Sequence, residues 1–252
     1  MKSFFSKKSI LRTMAVAAVC MLGATSVKAQ EFTIQGDFVS SYVWRGIYQG
    51  GAASFQPTLG FNIGDFSLTA WGSTDFDGNK SSEGLASKEI DLTVAYTLGE
   101  SGPTLSVASL WWAGQGAGKY FNFKSHETAH FFEAGLAYTL PCEKLPLSMA
   151  WYLMFAGADK NEEGKQNYSS YCELNYPFSV KSVGLNATVG FVPYKTYTVG
   201  YGNSGFAFTN VALKATTAIR ITDSFSLPIF AQAIWNPCLE DAHLVFGITL
   251  KP

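Results

Sequence analysis

Apolar and polar residues alternate along this chain in about a dozen short runs, a period of two that puts successive side chains on opposite faces of an extended strand. Glu89-Ile90-Asp91-Leu92-Thr93-Val94-Ala95-Tyr96 and Ala242-His243-Leu244-Val245-Phe246-Gly247-Ile248-Thr249-Leu250 show it most clearly. The pattern predicts strands near 32–45, 54–62, 65–73, 89–97, 104–112, 128–140, 146–156, 167–176, 183–192, 207–220, 225–235 and 241–250. Their connections alternate in length. Those at 46–53, 74–88, 113–127, 157–166 and 193–206 are long and rich in Gly, Ser, Asn and Lys, whereas 63–64, 98–103, 141–145, 177–182 and 221–224 are short. Only the last, 236–240, breaks the long series.

The parity of each run separates charge from hydrocarbon. In the first, Phe32, Ile34, Phe38, Tyr42 and Trp44 fall on one side and Thr33, Gln35, Asp37, Ser41 and Arg45 on the other. In the tenth, Val211, Leu213, Ala215 and Ile219 oppose Lys214, Thr216 and Arg220. Trp71, Trp112, Tyr152, Met154 and Phe230 fall on the polar side, which implies either a register-shifting bulge or bulky side chains in the interior.

Composition decides which solvent the apolar side meets. Aromatic residues make up 15% of the chain and charged residues also 15%, against about a quarter charged in water-soluble domains. After residue 29 no run is long and apolar enough for a membrane helix, so crossing a bilayer would require a closed barrel that pairs every backbone group. The predicted fold class is therefore all-β, a transmembrane antiparallel up-and-down barrel of about 12 strands with periplasmic termini and long external loops. Trp44, Tyr96, Trp111, Tyr138, Tyr176 and Trp235 lie near strand ends, as interfacial aromatic girdles require.

Residues 1–29 carry Lys2, Lys7, Lys8 and Arg12 ahead of an uncharged stretch from Met14 to Val27, closed by Val27-Lys28-Ala29. This predicts an export signal that is removed, leaving residues 30–252 as a single barrel domain in the outer membrane of a Gram-negative cell. Loss of the leader's basic residues leaves an acidic chain, which argues against nucleic-acid binding. Cys142, Cys172 and Cys238 form neither a disulfide framework nor a metal-site spacing, and no motif calls for a cofactor.

On this register Asp37, Arg45, Glu89, Asp91, Glu133, Glu173, Lys214 and Arg220 face the lumen. Membrane insertion alone selects that placement, because a charge facing hydrocarbon is costly. The lining then has two readings: a salt-bridged interior that stiffens the wall, or a polar path for small solutes, biased weakly against anions. Because no external loop exceeds about fifteen residues, a large constriction folded into the lumen is not expected, and the barrel size suggests a modest pore. Two other functions are open. One is a non-conducting structural barrel whose loops meet a surface or periplasmic protein. The other is a lipid hydrolase, for which His130 near Ser125 or Thr128 is the only suggestive arrangement, a lone histidine near a strand end more often being a plain polar group; the expectation is no enzyme.

The stretch Gly36-Asp37-Phe38-Val39-Ser40-Ser41-Tyr42-Val43-Trp44-Arg45-Gly46-Ile47-Tyr48-Gln49-Gly50 resembles the opening strand of the TorF-type porin family of Gram-negative bacteria, which begins with a similar D-F-V-S-x-Y-x-x-R-G strand. The resemblance implies a signal-bearing outer-membrane barrel of this length, a porin function, and outer-membrane lipid and the barrel assembly machinery as partners. Asp37 and Arg45 lie eight residues apart, too far for contact along one strand, so each is expected to pair across the barrel or at a rim. Oligomeric state has no signature in the chain.

Overall fold

The computed structural model describes residues 30–50, 52–76, 88–113, 119–196, 198 and 204–252. The leader assigned to 1–29 lies outside them. The strands are β1 (Gln30–Val39), β2 (Val43–Trp44), β3 (Ile47–Tyr48), β4 (Ser54–Ile63), β5 (Phe66–Asp75), β6 (Lys88–Thr97), β7 (Thr104–Ala113), β8 (Phe131–Thr139), β9 (Ser148–Gly157), β10 (Ser170–Val180), β11 (Val183–Val192), β12 (Ala207–Arg220), β13 (Ser226–Asn236) and β14 (Asp241–Leu250). Each barrel strand hydrogen-bonds antiparallel to its neighbours, and β1 joins β14 to close a 12-stranded barrel. The closing seam is short, with Gly36–Val39 of β1 set against Gly247–Leu250 of β14. Strands β2 and β3 stand apart as a separate two-stranded ribbon.

The alternation resolves into an apolar outside and a mixed inside. Phe32 (73% exposed), Leu244 (59%) and Val107 (51%) lie on the outer face, with Ile34, Leu92, Trp151, Leu213, Trp235 and Phe246 also exposed around the circumference. A water-soluble monomer rarely exposes so continuous an apolar band. Inside, two apolar clusters line successive arcs of the wall. One joins Ala108, Leu110, Met154, Tyr171 and Val192 of β7, β9, β10 and β11. The other joins Val39, Ala212, Ile234 and Val245 of β1, β12, β13 and β14. Trp112 and Tyr152 pack on the first and Phe230 on the second, so these bulky residues do occupy the interior. A bulge is present as well: the β8–β9 register shifts between Phe132 and Glu133, leaving Phe155 exposed and Met154 fully buried.

Eleven of the expected strands fall where the alternation places them; the first does not. β1 ends at Val39, where Ser40 takes over the ladder, its N–H donating to the Phe246 carbonyl at 2.8 Å and its Oγ accepting from Phe246 N at 2.9 Å. The chain then leaves the wall and turns inward. Tyr42 and Trp44, expected on the lipid face, are interior instead: Tyr42 packs on Trp71 at 5.5 Å and Trp44 on Trp112 at 5.5 Å between ring centroids. A large constriction in the lumen was not expected, and what enters it is the short β2–β3 ribbon. Loop length was a poor guide because a two-stranded ribbon needs few residues to cross a barrel this size. Twelve tilted strands close to a diameter of about 24 Å, and side chains from opposing walls leave a bore of roughly 12 Å, close to the roughly 10 Å thickness of a ribbon with its side chains.

Candidate functional site: the inserted hairpin

The hairpin forms because its four central residues suit a tight turn. Arg45 and Gly46 both have positive φ, 52° and 82°, the pair of left-handed conformations that a two-residue hairpin with the correct twist demands. Val43 pairs with Tyr48 and Trp44 with Ile47, and Gln49 N–H extends the ladder to the Tyr42 carbonyl at 2.9 Å. Gly46 is required on two counts. Beyond its φ, a Cβ at this position would lie 1.8 Å from the Thr209 carbonyl oxygen, so the tip is pressed directly against β12.

The tip is held from several sides. Arg45 makes a two-pronged ion pair with Glu133 of β8, Nη1 to Oε2 at 2.7 Å and Nη2 to Oε1 at 2.8 Å, with the two side chains 10% and 7% exposed. Its guanidinium also lies 4.5 Å from the Trp44 and Tyr152 ring centres and 4.7 Å from that of Tyr171. Such a planar, weakly hydrated cation suits an enclosure of aromatic faces and one carboxylate. On the opposite wall Asn236 Nδ2 of β13 donates to the Gly46 carbonyl at 3.0 Å, while its Oδ1 accepts from Cys238 and Leu239 N–H. Val43 packs into the apolar cluster of β1 and β12–β14, and Tyr48 stacks on His243 of β14 at 5.5 Å. The ribbon therefore bridges opposing walls of the lumen.

The other charged residues distribute as follows. Glu173 is held beside the hairpin: Tyr171 Oη donates to its Oε2 at 2.6 Å, Asn175 Nδ2 to its Oε1 at 2.7 Å, and Asn210 Nδ2 supports Tyr171 Oη at 3.1 Å. Glu89 and Asp91 of β6 lie near Tyr42 and Trp112, and Glu89 Oε2 and Asp91 Oδ1 are enclosed without a hydrogen-bond partner. Asp37 accepts from Thr249 Oγ1 at 2.6 Å and Gln35 Nε2 at 3.0 Å, within the β1–β14 seam. Lys214 Nζ lies 4.0 Å over the Phe230 ring. Arg220 joins none of these; it is exposed and pairs with Asp223 in the turn that follows β12. The structure thus gathers Arg45 with Glu133 and Glu173, sets Glu89 with Asp91 nearby, and leaves Asp37, Lys214 and Arg220 elsewhere.

Residues that periodicity did not single out matter as much as the charges. Tyr171, Asn210 and Asn236 support the tip, and their only sequence signal is a polar or aromatic residue on the inward parity. On the long-loop side, Asp159 is fully buried and accepts from Ser169 N at 2.8 Å, Ser169 Oγ at 2.6 Å and Thr198 Oγ1 at 2.7 Å, tying the 158–169 connection to Thr198. His130 is not partnered by Ser125. Its backbone N–H donates to Thr128 Oγ1 at 3.1 Å, but its ring meets Ser109 of β7, on the outer wall.

No protein-family model and no curated protein matches this chain. Among solved structures it is similar to a triple mutant of the Rhodopseudomonas blastica porin, at 12% identity and a TM-score of 0.36, covering 79% of this chain and 55% of that one. A second structure, described as "Asymmetric conductivity of engineered proteins", matches at 12% identity and a TM-score of 0.35 with the same coverage. The chain thus spans about half the length of these two structures.

Proposed function

We propose that this chain is an outer-membrane barrel of the porin type, in which small polar solutes pass along a lumen narrowed by the β2–β3 hairpin. The observation that carries the reading is the seated hairpin itself, an inward ribbon fastened by the buried Arg45–Glu133 pair inside an otherwise closed barrel with an apolar exterior. A constriction of this kind sets both the size limit and the charge of the passage. Beyond the Arg45–Glu133 pair, Asp37 and Glu173 outnumber Lys214 on the inward parity, which weakly disfavours anions. In this reading the termini and short turns face the periplasm, the long loops face outward, lipid covers the apolar band, and the barrel assembly machinery inserts the chain.

Reconstitution of the purified barrel in planar bilayers tests the proposal. Small, cation-preferring conductance is expected, larger when the hairpin is released. No conductance above background, from either the wild type or a variant with the hairpin released, would overturn it. The reading left would be a non-conducting barrel presenting its loops to a partner, which the Asp159-centred ordering of the 158–169 connection favours.

A further inference from the structure

The outer wall carries a second polar constellation, independent of the lumen. His130 is completely buried immediately before β8, on the outward parity shared with Phe132. Its Nε2 lies 2.5 Å from the Tyr120 carbonyl oxygen. A carbonyl can only accept, so Nε2 carries the proton and Nδ1 of the neutral ring is left as an acceptor. The Ser109 hydroxyl, 2.8 Å from Nδ1, is then the donor. Serine, imidazole and an orienting acceptor stand in the relation by which a hydroxyl is activated as a nucleophile. Two residues along β7 on the same face, the Trp111 indole Nε1–H is buried and has no acceptor.

The position of this group within the wall narrows its substrate. Ser109 is half-exposed and lies four residues below the end of β7 at Ala113, about 10 Å down a tilted strand. Below it the outer face is apolar, with Leu105, Val107 and Val94 exposed. Above and beside it are Trp111, Tyr120, Phe121, Phe123 and Phe132, with Phe121 85% exposed and Phe123 stacked on His130 at 4.5 Å. An aromatic belt of this kind marks the boundary between acyl chains and headgroups, which is also the depth of the ester carbonyls of membrane lipids.

We propose that Ser109 and His130 form an acyl-ester hydrolase site on the lipid-facing wall, with membrane glycerolipids as its substrate class. Ser109 Oγ attacks the ester carbonyl carbon while its proton passes to His130 Nδ1, leaving a tetrahedral oxyanion. The carbonyl re-forms as the ester C–O bond breaks, and the leaving alkoxide takes the proton from Nδ1, releasing lysolipid. Interfacial water then attacks the acyl-serine, with His130 again taking and returning one proton, to yield a fatty acid and free Ser109. The Tyr120 carbonyl is a positioning group that stabilises the imidazolium through Nε2–H.

The test uses the full mature barrel, folded in detergent and in phosphatidylcholine vesicles, with folding checked by heat-modifiable migration on gels. A fluorophosphonate probe is expected to label Ser109, identified by peptide mass spectrometry. Fatty-acid release is expected to fall at least about a hundredfold in both Ser109→Ala and His130→Gln. Ser109→Ala removes a single oxygen, so its fold is expected to survive even if His130→Gln disturbs the 119–130 segment. If the folded wild type is unlabelled and releases no more fatty acid than Ser109→Ala, the bond merely pins that segment to the wall and the proposal falls. Conductance is not part of this readout, so the pore reading stands or fails separately.

Discussion

Replacing Glu133 by Gln keeps the shape of the side chain and removes the charge that faces Arg45. The guanidinium would then remain in a site where it is only 10% exposed, with three aromatic rings and one neutral amide around it. Breaking a buried pair by neutralising one partner costs about 3–5 kcal/mol, because the other charge stays buried without compensation. The remaining anchors include the Asn236 hydrogen bond to the Gly46 carbonyl, worth about 1 kcal/mol, and the partly buried Trp44 and buried Tyr42 rings, worth about 1.5–3 kcal/mol each, beside the Val43 and Tyr48 contacts. The loss is thus a large share of what holds the tip, and at 1.4 kcal/mol per tenfold it multiplies the population of the unseated hairpin by about 10² to 4 × 10³. Planar-bilayer recordings should show longer or larger openings, and a spin label on Tyr48→Cys should gain mobility. The double variant Arg45→Leu/Glu133→Leu should lose far less than the single changes combined, since an apolar pair leaves no stranded charge. Wild-type conductance and unchanged label mobility in Glu133→Gln would refute the reasoning that this pair latches the ribbon.

Further outcomes follow from other contacts. Gly46→Ala must meet the Thr209 carbonyl with a Cβ at 1.8 Å and hold a positive φ, so it should unseat the tip as effectively as Glu133→Gln while the barrel still shows heat-modifiable gel migration. Glu89→Gln/Asp91→Asn should shift the reversal potential in a salt gradient toward anions; an unchanged potential would mean that these two enclosed carboxyls present no charge to the ion path. Asp159→Ala leaves the Ser169 and Thr198 donors unpaired and should make the 158–169 connection markedly more sensitive to protease in intact vesicles. Leu244→Arg, on the apolar exterior, should lower folding stability in lipid by about 2–4 kcal/mol if it lies at mid-bilayer, and a neutral effect in a urea titration would argue against hydrocarbon at that face.

Alternation, loop lengths and the scarcity of charge were enough to give the barrel, its twelve strands and the outward turn of residues such as Leu213, Leu244 and Phe246. These are local properties: a strand with one face in hydrocarbon must repeat every two residues, and that repeat is visible without knowing any partner. The rule holds only while the chain stays in the wall. At Ser40 and Ser41 it leaves, yet an inserted ribbon also alternates, so Tyr42, Val43 and Trp44 prolong the same rhythm while their surroundings change from lipid to lumen. The pairing of Arg45 with Glu133 joins residues 88 positions apart, and that of Ser109 with His130 joins neighbouring strands across a 21-residue separation. Parity tells which side of a strand a residue occupies but nothing of its height or of what stands opposite. Those are set by register, strand tilt and closure of the barrel, and only the folded wall decides them.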